Sequence, residues 1–194
     1  MGKGRLEAFS DGVLAIIITI MVLELKVPHG ADLEAIRPLL PELISYIVSF
    51  VYVGIYWNNH HHLLHVVKHV DGWIMWANMH LLFWLSLIPV MTGWIGEHPS
   101  SPVSAAGYGV ILFMAGIAWL LLQKAILHNH ASRGDLRRAI GSDLKGKLSG
   151  VAYLSAIGLA FVSSWIAIGI YVVMALVWVV PDRRISRAVE SHDP

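Results

Sequence analysis

The 194-residue chain contains no cysteine, which excludes disulfide staples, thiolate metal centres and cysteine nucleophiles. Charge is almost as scarce. Asp, Glu, Lys and Arg make up 14% of the residues, against about a quarter in an ordinary soluble domain. With 56% hydrophobic residues and a mean hydropathy of +0.63, a water-soluble core under a charged coat is excluded as the main architecture. The formal net charge of +1 hides a strong positional bias, because Lys and Arg avoid the apolar runs and gather in particular connections, a distribution that reports membrane topology and not nucleic-acid binding. What the chain has in abundance is apolar sequence in long runs. Roughly 20 such residues cross the hydrocarbon, so this length supplies about five to seven crossings and leaves no room for a separate soluble domain.

Six transmembrane helices are predicted within a single domain covering residues 1–194, at about 6–25, 39–58, 73–95, 105–127, 148–162 and 165–180. Pro28, His29 and Gly30 mark the first turn, and Pro99 and Pro102 punctuate the segment from Glu97 to Ser104. A histidine-rich connector, Asn58 to Asp71, is expected after the second helix, and a polar one from His128 to Lys147 after the fourth. The block from Leu148 to Val180 is 33 residues, too long for one straight crossing, and is divided near Ser163 and Ser164. The first apolar segment superficially resembles a signal peptide. Asp11 within it, Glu24 and Lys26 after it, and the lack of a small-residue cleavage site predict a retained helix, and Leu6 argues against a myristoylation signal.

The 14 basic residues divide unevenly between alternate connections. With the N-terminus in the cytoplasm, Lys3, Arg5, Lys68, Lys124, Arg133, Arg137, Arg138, Lys145, Lys147, Arg183, Arg184 and Arg187 all fall inside, leaving Lys26 and Arg37 outside. This twelve-to-two asymmetry predicts cytoplasmic N- and C-termini and hence an even number of crossings. Tryptophans at 57, 73, 76, 94, 165 and 178 fall near helix ends, where interfacial anchoring places them. No internal duplication of the inverted-repeat kind is visible, so a central pathway must be built by oligomerising.

The first helix carries the polar anomaly. Asp11 lies inside the apolar stretch, where an ionisable group must find protein or water; Arg5, a hydroxyl such as Ser10, or a histidine or tryptophan of a neighbouring helix are its candidate partners. It acts either as a lock that orients the helix or as an acid reaching interfacial water. From Gly12 to Leu23 the only polar side chain is Thr19. On a helical wheel Ile16, Ile20 and Leu23 share an arc of about 60° with Thr19 at its edge, while Asp11 points to roughly the opposite side. Most such stripes face lipid or neighbouring helices. Four copies around one axis would instead form a hydrophobic constriction, which gates by dewetting and forces ions to shed water.

The run Arg5-x-x-x-Phe9-Ser10-Asp11 at the head of this helix resembles the signature of the transmembrane protein 175 family of potassium channels. Further echoes are Trp57, His60 and His61 at the end of helix 2, and Asn78, Leu81, Leu82, Pro89 and Thr92 along helix 3. The resemblance implies an all-α integral membrane protein with six transmembrane helices per subunit. It also implies a homotetramer of the bacterial single-repeat type, with helix 1 lining a central pore. It further implies a constriction or gate at Ile16, Ile20 and Leu23, selectivity at Thr19, and passive K+ conduction with no cofactor and no catalysis. A bacterial plasma membrane is the implied location.

Three other signals compete. Gly107-Tyr108-Gly109 echoes a potassium-channel filter, but Ala105 and Ala106 precede it, so helix packing is the expected role. His61 and His65 are spaced to hold zinc on a helix face, with Asp71 the one nearby acid; a metallohydrolase is the weak alternative, and capping of helix 2 near the headgroups the expectation. No metal site is assigned. His80, with Asn78 and Ser86 nearby, is an intramembrane ionisable group. A proton-coupled transporter using Asp11 and His80 is therefore the main alternative, while a polar network joining Trp57 and His80 to the helix 1 signature fits the channel.

Overall fold

A computed structural model describes residues 2–65, 67, 69–129 and 144–179. Among these the chain forms seven α-helices: α1 Lys3–Leu23, α2 Leu40–His65, α3 Gly72–Ser86, α4 Ile88–Glu97, α5 Pro102–Asn129, α6 Leu144–Ala160 and α7 Ser164–Val179. A 3-10 turn, Leu33–Leu39, leads into α2 and is capped by Asp32, whose Oδ1 accepts from the Ala35 amide at 3.1 Å. The segments 3–23, 33–65, 72–97 and 102–128 are each long and apolar enough to cross a membrane, and α7 is a shorter apolar helix. Lys68, Arg133, Arg137, Arg138, Arg183, Arg184, Arg187 and position 180 lie outside the described residues.

Two elements differ from the sequence expectation for identifiable reasons. The run from His60 to His65 is helix, not connector, because His60, Leu63 and Leu64 recur at helical spacing and are all buried; the chain leaves the helix only after His65. The Lys3 ammonium donates to the His65 carbonyl at 3.0 Å, satisfying one of the acceptors that a helix C-terminus leaves open. The predicted third helix, 73–95, is present as one candidate span, 72–97, with a one-residue interruption at Leu87 that divides it into α3 and α4. Pro89, at the start of α4, has no N–H to donate, and its ring crowds the carbonyl four residues back. At the start of α3, Asp71 is committed as the N-cap, its Oδ1 accepting from the Ile74 amide at 2.8 Å.

Packing divides into two apolar clusters. The first joins α1 to α3, the second half of α5 and the inner face of α2 through Leu14, Ile17, Met21, Leu64, Leu81 and Leu122. The second joins α5, α6 and α7, and its contact face is rich in alanine: Ala105, Ala156, Ala160 and Ala167 are fully buried. Small side chains let helix backbones approach closely, which matters in lipid, where burial of apolar area gives no advantage over acyl contact. Gly109 serves the same end: a Cβ there would collide with the Tyr171 hydroxyl and meet Ile157 Cγ1 at 2.9 Å. Gly107-Tyr108-Gly109 is thus a stretch of continuous helix in α5, with the Tyr108 hydroxyl 2.8 Å from Ser49 Oγ.

Candidate functional site

The helix α1 has two unlike faces. Leu6, Ser10, Leu14, Ile17 and Met21, spaced by three or four residues, are buried against the rest of the chain. The stripe of Ile16, Ile20 and Leu23 is 60%, 42% and 76% exposed, with Thr19 beside it also exposed. Phe9, seven residues before Ile16 and so on the same side, is exposed too. A row of bulky apolar groups is therefore left uncovered along nearly the whole helix. Thr19 Oγ1 donates to the Ala15 carbonyl at 2.9 Å, so the proton of the hydroxyl is turned into the helix and the oxygen lone pairs remain available outward.

A buried polar clasp fixes which way α1 faces. His60 on α2 donates from Nε2 to Asn78 Oδ1 on α3 at 2.6 Å, and Asn78 Nδ2 donates to Ser10 Oγ at 2.9 Å. Ser10 in turn donates to the Leu6 carbonyl at 2.8 Å. All three side chains are buried, at 3% exposure or less. One turn of helix α1 thereby touches both neighbours, because Trp57 Nε1 on α2 also donates to Asp11 Oδ1 at 3.0 Å. Of the partners expected for Asp11, the tryptophan of a neighbouring helix is the one found.

Sequence reasoning marked Trp57, Ser10 and Asp11 as a polar site and named His60 and Asn78 as family echoes, without bringing these last two together as the centre of the clasp. Their spacing, on two different helices, gives no sign that they meet. His80 does not join: its Nε2 accepts from Trp84 Nε1 at 2.9 Å, one turn along α3. Asp11 and His80 are therefore held by separate tryptophans. Arg5 is exposed at the start of α1. His61 and His65 lie with ring centroids 6.3 Å apart, and no group of three metal-ligating side chains gathers among the described residues.

At the other end of α1, Lys26 reaches Glu97 Oε1 at 2.6 Å and Glu42 Oε1 at 3.3 Å, tying together the ends of α1 and α4 and the start of α2. The hydrogen bonds to Glu97 and then Glu42 raise the Lys26 pKa above its ordinary value. Close contact at this end depends on Gly96, where a Cβ would lie 2.8 Å from Ser45 Oγ and 2.9 Å from the Glu42 backbone.

Residues 5–89 match the family model for the endosomal/lysosomal potassium channel TMEM175. A potassium channel from Chryseobacterium is 51% identical over 192 residues, covering 99% of this chain and 100% of its own length. A potassium channel from Streptomyces collinus is 33% identical, covering 90% of both chains. The endosomal/lysosomal proton channel TMEM175 of Gallus gallus is 31% identical over 72% of this chain but only 32% of its own. Among solved structures, a lysosomal potassium-selective channel TMEM175 homolog from Chamaesiphon minutus superposes with a TM-score of 0.76 at 28% identity, over 98% of each chain. The family match contains α1 from Arg5 onward and every member of the clasp, and with relatives aligned end to end the chain is a member of the TMEM175 family, of the bacterial single-repeat type.

Proposed function

We propose that this chain is a potassium-selective channel, conducting K+ passively through a homotetramer in which α1 of each subunit lines the axis. Each subunit crosses a bacterial plasma membrane six times, with both termini cytoplasmic, and the protein uses no cofactor and performs no covalent chemistry. The observation that carries this reading is the uncovered stripe of Ile16, Ile20 and Leu23, held away from the subunit core by the clasp on the other side of the helix. Relatives of the same length are named potassium channels, which agrees with the choice of ion.

In that arrangement three stacked rings of branched aliphatic side chains narrow the pathway. A narrow apolar ring disfavours a continuous water column, so the pore is closed by dewetting until the rings move apart. An ion passing them loses part of its hydration shell. The cost is lower for K+ than for the more tightly hydrated Na+, and the four Thr19 oxygens beside the constriction replace some of the lost water ligands. The experiment is a bi-ionic K+/Na+ recording on the purified protein in planar bilayers. Ile16→Asn wets the first ring and raises current or lowers selectivity, and Thr19→Ala shifts the permeability ratio while leaving assembly intact. Identical currents and reversal potentials in both variants and the parent protein would remove these residues from the pathway.

A further inference from the structure

Between α2, α5 and α6 lies a cavity of 450 Å³, within the range of about 300–1,000 Å³ typical of ligand sites. Its walls are aromatic and aliphatic, with Tyr52, Phe113, Trp119 and Leu154 among them. Two glycines on the helices that flank it, Gly116 of α5 and Gly150 of α6, leave it open. An added Cβ at either one meets nothing within 4 Å, so both positions face open space. From Tyr52 to Asn59 on α2 it runs about 10 Å along the helix axis, at 1.5 Å per residue.

The two ends of the slot differ. The Tyr52 end is buried in the helix bundle. The other end is bordered by Asn59, Ser149 and the exposed Lys147, and beside it Lys145 extends over the Trp178 ring, 6.0 Å from the centroid. Trp178 Nε1 donates to Ser149 Oγ at 2.7 Å, which sets an interfacial tryptophan at the mouth. Asn59 precedes by nearly two turns the C-terminus of α2, where Lys3 is bound, so this is the end of the bundle that carries Lys3, Lys145 and Lys147. An apolar slot opening at a cationic rim beside a tryptophan has the chemistry of a phospholipid: acyl chain inward, phosphate at the ammonium.

We propose that this slot holds one acyl chain of an anionic membrane phospholipid, with its phosphate at Lys147. A second copy of the chain is the rival occupant, and the packing order disfavours it. Helix α1 packs on α2, α3 and α4, whereas α6 packs on α5 and α7. If α1 lines the axis, α6 belongs on the outer side of the assembly, against lipid. That outward placement rests on the channel reading above; the slot and its lysine do not.

The test is native mass spectrometry of the full-length protein, delipidated in detergent and then given phosphatidylglycerol or phosphatidylcholine with the same acyl chains. The parent protein retains phosphatidylglycerol several-fold over phosphatidylcholine, up to one per chain. Lys147→Gln reduces phosphatidylglycerol to the phosphatidylcholine level, and Gly150→Leu, which fills the slot, abolishes retention of both. Gly116→Leu on the facing helix does the same and serves where Gly150→Leu fails to fold. Equal retention of the two lipids by the parent protein overturns the proposal, and so does undiminished phosphatidylglycerol in a folded slot-filling variant. Loss of the oligomer in that variant with lipid retention unchanged assigns the slot to a second copy and equally overturns it. Retention is read without any ion current, so it stands or falls separately from conduction.

Discussion

Asn78→Ala cuts the clasp at its centre, and its cost follows from what each partner loses. His60 is 3% exposed and its Nε2 proton is left without the acceptor now 2.6 Å away. Stranding a buried polar group in this way costs about 1–3 kcal/mol. Ser10 loses less, since its hydroxyl still donates to the Leu6 carbonyl at 2.8 Å and gives up only an incoming bond. Hydrogen bonds between membrane helices are worth roughly 0.6 kcal/mol on average and about 1.7 at most, because the alternative states also find partners. Together these place Asn78→Ala at about 2–4 kcal/mol destabilising, Ser10→Ala lower, and the coupling between them at roughly 0.6–1.7 kcal/mol. Equilibrium unfolding of the detergent-solubilised protein, run as a double-mutant cycle, reads all three numbers. A cost for Asn78→Ala under about 0.5 kcal/mol, or strict additivity with Ser10→Ala, would refute the view that this hydrogen-bond chain orients α1.

Gly109→Ala drives a methyl group into the Tyr171 hydroxyl, which must then give up its 3.0 Å bond to the Ala105 carbonyl; overpacking of this kind costs about 1–3 kcal/mol, visible as a lowered melting temperature. Lys26 has a folded pKa above the ordinary 10.5, so its contribution to stability is complete below that pH and is lost as pH rises through the folded value. Thermal melts should therefore show an alkaline decline above pH 10.5 that is shallower in Lys26→Met than in the parent protein. Equal alkaline slopes would show that the Lys26 contacts to Glu42 and Glu97 are not felt in stability.

The helical class and the position of the odd side chains on α1 were legible because periodicity is local. Ile16, Ile20 and Leu23 fall on one stripe by arithmetic, and so do Ser10 and Asp11 on their own arcs. Turns were legible where the backbone chemistry is explicit: residues 161–163 separate α6 from α7 beside the paired serines. The histidine run misled because polar composition outweighed the buried spacing of His60, Leu63 and Leu64. Pro89 was visible, but the break it imposes at Leu87 was not, because proline inside an apolar run can also be absorbed as a kink. The clasp was out of reach for a different reason. His60, Asn78 and Ser10 sit on three helices whose rotation about their own axes is set by the packing of the whole bundle, and the signature residues show only one side of it.

The absence of native cysteine makes the central claim directly measurable, since any introduced thiol is unique. Leu23→Cys, at the most exposed position of the stripe, can be treated with a charged, membrane-impermeant methanethiosulfonate during K+ recording. If α1 lines the ion pathway, the reagent reacts and blocks the current progressively, and a thiol at the buried Leu14 leaves it unchanged. Current through Leu23→Cys that is indifferent to the charged reagent, while a lipid-soluble maleimide labels the same thiol, would put the stripe against acyl chains and contradict the account.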